Sequence, residues 1–98
     1  MLFRSKEMLE KEIEKMLVAG VRSLGGRAYK FVSPGNDGVP DRIVVLPGRA
    51  PIFIELKTET GSLTKLQRVQ VQRLVDLGQD VRVLRGTEQV AQFLWEVQ

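Results

Sequence analysis

Gly38-Val39-Pro40-Asp41-Arg42-Ile43-Val44-Val45 and Ile52-Phe53-Ile54-Glu55-Leu56-Lys57 are the stretches whose reading decides the architecture. Each is a short apolar run entered through a proline, Pro40 or Pro51, at a strand entrance where a missing N–H donor is tolerated. Pro47-Gly48-Arg49-Ala50-Pro51 between them is a turn, so the two strands can pair and bring Asp41 beside Glu55. Lys57 lies two residues beyond Glu55, and the strand period of two points both side chains to one face.

The chain on either side fits an α/β frame. From Glu7 to Leu24 the apolar residues Leu9, Ile13, Leu17, Val21 and Leu24 recur every three or four positions, the pattern of an amphipathic helix. Ser5 and Met8 supply half a capping box at its start, and Gly25-Gly26 close it as a left-handed C-cap. Arg27 to Val32 reads as a first strand, and the turn formers Ser33 to Gly38 as a loop. Asp41 to Leu46 is a second strand whose continuous apolar run predicts cover on both faces. Ile52 to Lys57 is the third strand. Thr64 to Leu77 is a second helix with Leu66, Val69, Leu74 and Leu77 expected inward, closed by Gly78. Asp80 to Leu84 is a fourth strand, and Thr87 to Trp95 a last helix capped by Thr87. The order αβββαβα implies one domain, residues 1–98, around a four-stranded mixed sheet. A helix between strands three and four makes those two parallel, with a right-handed crossover.

Composition narrows the chemistry. The chain has no histidine, which excludes histidine-ligated zinc, serine-histidine triads and histidine general bases. It has no cysteine either, which excludes disulfides and thiolate metal sites and suits the cytoplasm. Catalysis must rest on carboxylates, lysine or a hydroxyl. No apolar run is long enough to cross a bilayer, and Met1 to Glu7 runs straight into a helical pattern unlike a signal peptide. The net charge of +3 is compatible with a nucleic-acid partner.

Asp41, Glu55 and Lys57 are the candidate chemical centre. Magnesium takes near-octahedral oxygen coordination with few protein carboxylates. Asp41 and Glu55 can supply two ligands and the backbone carbonyl of Leu56 a third, with manganese able to substitute. A cation held there eases deprotonation of its water and offsets charge on a scissile phosphate, while Lys57 positions the attacking water or stabilises the phosphorane. The plainer alternative is a turn-capping Asp41 with Glu55 and Lys57 on a solvated strand face. Glu55 stands among Ile52, Phe53, Ile54 and Leu56, however, where unpaired charge is costly. On the first helix, Glu10 falls within the apolar stripe and is the candidate third acid. Glu14 lies near the stripe's edge, and Glu12 points to solvent. Gln67, one turn into the second helix, is placed to hold a phosphate or the nucleophilic water. Lys65, Arg68, Arg73, Lys30, Arg42 and Arg49 are candidate phosphate contacts.

The run GGRAYKFVSPGNDGVPDRIVVLPG, then FIELK, then G-x-L-T-x-x-Q, resembles the virus-type replication-repair nuclease (VRR-NUC) family of the PD-(D/E)XK superfamily. The resemblance spans about Glu10 to Leu84 and implies an αβββαβ core and a divalent-metal nuclease. It matches Asp41 to the motif aspartate, Glu55 and Lys57 to the acid-x-lysine motif, Gln67 to the glutamine of the following helix, and Glu10 to the helix-one glutamate, with Glu14 as alternative. It also implies a homodimer acting on branched DNA in a bacterial or phage-infected cell. Two other readings compete: a non-catalytic nucleic-acid-binding module, and a nuclease subunit targeted by a partner protein.

Overall fold

The computed structural model describes residues 6–98; the expected Ser5 cap falls outside them. The elements are α1 (Lys6–Ser23), β1 (Arg27–Lys30), β2 (Arg42–Val45), β3 (Ile52–Lys57), α2 (Lys65–Asp76), β4 (Asp80–Arg85) and α3 (Gly86–Glu96). The strands lie in the order β1-β2-β3-β4. β1–β2 and β2–β3 are antiparallel and β3–β4 is parallel, so the expected α/β domain with a four-stranded mixed sheet is what the chain forms.

One face of the sheet carries the core. Ile13, Leu17 and Val21 from α1, and Val90 and Phe93 from α3, pack against Ala28, Val44, Ile52, Ile54 and Leu84. Ile52 and Ile54 alternate with Phe53 and Glu55, so the acid belongs to the opposite face, where α2 lies. Gly25 ends α1 at a φ of 85°, and the Gly26 N–H donates back to the Val21 carbonyl, a glycine C-cap as the sequence indicates.

Four expectations need correction. β2 is covered on one face only: Val44 is buried while Val45 is exposed, because α2 packs on β4 and leaves this end of the other face open. β1 ends at Lys30 rather than Val32, which is exposed. In α2 the inward positions are Gln67, Gln70, Val71 and Leu74, all half-buried, whereas Leu66, Val69 and Leu77 face out. Thr87 does not cap α3. β4 runs into α3 without a loop, the N-cap position falls on Arg85, and the Gln89 side chain accepts the Arg85 N–H at 2.7 Å. Val90 and Phe93 of α3 are core, and Trp95 is exposed.

Candidate active site

The ends of β2 and β3 converge as their register requires. Arg42 pairs with Ile54, and one further step sets Asp41 opposite Glu55. Asp41 Oδ2 accepts the Leu56 N–H at 2.8 Å, which ties the start of β2 to the end of β3. Asp41 therefore caps β3, not a turn of its own. Glu55 is 1% exposed, so it is no solvated strand residue. Its Oε2 accepts from Gln67 Nε2 at 3.1 Å and lies 4.0 Å from Lys57 Nζ. Glu55 Oε1 has no hydrogen-bond partner, alone among buried side-chain polar atoms of the described residues.

Burial, then the charge of the neighbouring Asp41 and the hydrogen bond that Glu55 would donate to it when protonated, push the Glu55 carboxyl up to about 8, with Lys57 pulling the other way and Glu10 adding a rise. At neutral pH the isolated pair therefore retains a proton. A divalent cation between the two carboxylates would reverse that preference, because it removes the repulsion and gives Oε1 a partner. The donor set of hard oxygens fits magnesium or manganese.

Glu10, Lys11, Glu14, Asp41, Glu55, Leu56, Lys57 and Gln67 line a cavity of about 330 Å³. All five candidate site residues thus meet at one place, with Leu56 among them. Glu10 is exposed to the cavity and makes no ion pair among the described residues, whereas Glu14 is engaged by Arg42 Nε at 3.2 Å. No three acids converge tightly enough among the described residues to form a ready-made metal cluster. Asp41 and Glu55 are the pair that meets. Glu12 does not point into open solvent. It is half-buried in a separate groove with Thr58 and Glu59. Arg49 lies on the turn at the far end of the strands, away from the site.

The family model of the VRR-NUC domain matches residues 4–88. This chain belongs to that family. The VRR-NUC domain here is 52% identical over 75 residues to "Putative nuclease p44" of Acyrthosiphon pisum secondary endosymbiont phage 1, covering 76% of this chain and 81% of the relative. A solved structure described as a VRR_NUC domain superposes with a TM-score of 0.84 at 27% identity, over 91% of this chain and 97% of its own. A second, a VRR_NUC domain protein, gives a TM-score of 0.70 over 88% of this chain and 84% of its own, and at 15% identity shows the shared fold. Family and relative together make this a nuclease domain.

Three supports of the VRR-NUC site are not evident from residue types alone. Thr64 and Gln67 form a capping box, in which Thr64 Oγ1 accepts the Gln67 N–H and Gln67 Oε1 accepts the Thr64 N–H. Because Oε1 is used there, the Gln67 amide presents Nε2 to Glu55, and the second N–H of that nitrogen remains for a group in the cavity. The T-x-x-Q spacing was the available signal. Gly38, at a φ of 89°, lies so close to the first turn of α2 that a Cβ would meet the Leu66 carbonyl carbon at 2.6 Å and the Gln67 nitrogen at 2.8 Å. The loop leading to Asp41 is thereby seated against the turn that holds Gln67. Arg42, bound to Glu14 and to the Ala28 carbonyl at 3.0 Å, joins α1 to the sheet beside the cavity.

Proposed function

We propose that this VRR-NUC domain is a divalent-metal-dependent DNA endonuclease that prefers branched DNA, such as four-way junctions or flaps, and works as a homodimer in the cytoplasm of a bacterial or phage-infected cell. The observation that carries the metal is the unpartnered Oε1 of Glu55, 1% exposed and facing a second carboxylate. Such an oxygen is costly in a folded core unless something binds it.

Asp41 and Glu55 would hold magnesium or manganese, with the Leu56 carbonyl and Glu10 as further oxygen donors. When bound, the cation supplies Lewis acidity at the phosphate and a more acidic water. The rest is done by this chain's side chains. Lys57, whose Nζ is 4.0 Å from Glu55 Oε2, keeps an ammonium beside the reacting phosphate and offsets the charge that builds there. Gln67 fixes the Glu55 carboxylate in one rotamer by its 3.1 Å hydrogen bond. Asp41, held by the Leu56 N–H, keeps its other oxygen for the cavity.

The preference for branches rests on size and symmetry. A pocket that contacts phosphate and sugar reads shape rather than base sequence. Two pockets related by a two-fold axis match a four-way junction and not a straight duplex. The test is cleavage of labelled four-way junction, flap, splayed arm, duplex and single strand with magnesium, manganese or chelator, alongside light scattering. Cutting of branched substrates that chelator abolishes, by a dimer, is the expected result. Binding without cutting in any metal would make the chain a binding module. Cutting only after addition of another protein would make it a targeted subunit. A monomer that cuts duplex and junction equally would overturn the assembly and the selectivity together.

A further inference from the structure

The catalytic cavity offers little attraction to DNA by itself. Glu10, Glu14, Asp41 and Glu55 face it against Lys11 and Lys57. Affinity for a phosphate chain comes from cations, so these must lie beside the cavity rather than in it. A groove of about 580 Å³ lies beside the cavity along α1, the two sharing Glu14, and Lys15, Arg22 and Arg42 line it together with Val18, Ala19 and Ser23. Lys11, Lys15 and Arg22 are spaced by four and seven residues, which places them within an arc of about 40° on the helix and along about 16 Å of its length.

Charge and shape coincide here. Glu14 is the groove's acid and Arg42 neutralises it, the Arg42 guanidinium being held by Glu14 Oε2 and the Ala28 carbonyl. Lys15 and Arg22 make no ion pair among the described residues, so the groove keeps their positive charge in excess. A merely solubilising stripe requires no concavity, and this one borders a groove that shares Glu14 with the site. We infer that the α1 groove is a strand track: Lys15 and Arg22 contact successive portions of one DNA strand on one side of the scissile phosphate. The inference rests on the nuclease reading and adds to it the path of the substrate.

Fluorescence anisotropy of a labelled four-way junction and a labelled single strand, in chelator and over a salt series, tests the track. Lys15→Gln and Arg22→Gln should each lower the magnitude of the slope of log K against log salt by about 0.7–0.9, and the double variant by about twice that. Lys15→Arg should keep the wild-type slope. Arg27→Gln, the same charge change at the end of the sheet away from the cavity, should also keep it. Wild-type slopes for Lys15→Gln and Arg22→Gln, in a preparation whose wild type cuts DNA, would overturn the track and leave the nuclease reading intact. A wild type that neither binds nor cuts DNA would overturn both.

Discussion

Replacing Glu55 with glutamine keeps the side chain's shape and removes the charge that its surroundings resist. Burial and the neighbouring Asp41 push the Glu55 carboxyl up to about 8, against an ordinary value of 4.5. Between those two values the native state holds a proton that the unfolded chain has released, so stability falls as pH rises. The contribution is complete below about pH 4.5 and is lost as pH climbs through about 8. The gap is 3.5 pH units (8 − 4.5), which at about 1.36 kcal/mol per unit gives a ceiling of about 5 kcal/mol. At pH 7, 2.5 units above the ordinary value, the same arithmetic gives about 3 kcal/mol. That is a large share of the roughly 5–15 kcal/mol by which a domain is stable. Urea unfolding of wild type and Glu55→Gln in chelator, from pH 5 to pH 8.5, measures the effect. The stability difference should move in favour of the variant by about 3–5 kcal/mol over that range. Magnesium should restore the wild type at pH 8, by about 2.7 kcal/mol at one hundred times its Kd, and leave the variant unchanged. Parallel pH profiles for the two proteins in chelator would refute the reasoning.

Asp41→Ala and Lys57→Ala should each nearly abolish cleavage of a labelled junction while circular dichroism remains native. Calorimetric titration should show metal binding weakened in Asp41→Ala and retained in Lys57→Ala, and wild-type cutting rates for both would refute the assigned site. Among the acids of α1, Glu10→Gln should reduce kcat/KM more than Glu14→Gln, since Glu14 is committed to Arg42. Glu12→Gln should have little effect, and a dominant loss at Glu14 would shift the third acid by one turn. Thr64→Ala should destabilise the fold by about 1 kcal/mol through loss of the N-cap. It should also slow cleavage by loosening Gln67, and Thr64→Ser should recover both. Thermal unfolding and cleavage rates measured together read this, and full activity in Thr64→Ala would show that the cap does not position Gln67.

Much of the fold and site is legible in the chain because its signals are local. The three-to-four-residue recurrence from Ile13 to Val21 marks a helix, and it buries those residues as expected. The apolar runs at Ile43 and Ile52, punctuated by Pro47, Gly48 and Pro51, mark paired strands, and the glycine after α1 stops it where φ must be positive. The spacing of Asp41, Glu55 and Lys57 follows from strand geometry, so their convergence could be stated before any coordinates. Burial is different, because it depends on which element arrives to cover a face. Leu66, Val69 and Leu77 have the apolarity of inward residues, yet α2 turns Gln67 and Gln70 toward the sheet. There Gln67 binds Glu55, and Gln70 Nε2 reaches the Asp37 carbonyl at 3.4 Å. Glu12 was misplaced for the same reason. A helical wheel gives angles but not neighbours.

By itself the sequence determined the order of elements, the parallel crossover and the identity of the converging acids, since these depend on backbone period and turn chemistry within a few residues. Only the tertiary structure decided that Glu55 is sealed from water with one oxygen unpartnered, that Gln67 bonds protein with both ends of its amide, and that Gly38 seats the Asp41 loop on α2. Each of those facts is a contact between segments distant along the chain, and the energy of a buried charge is set by what surrounds it in space.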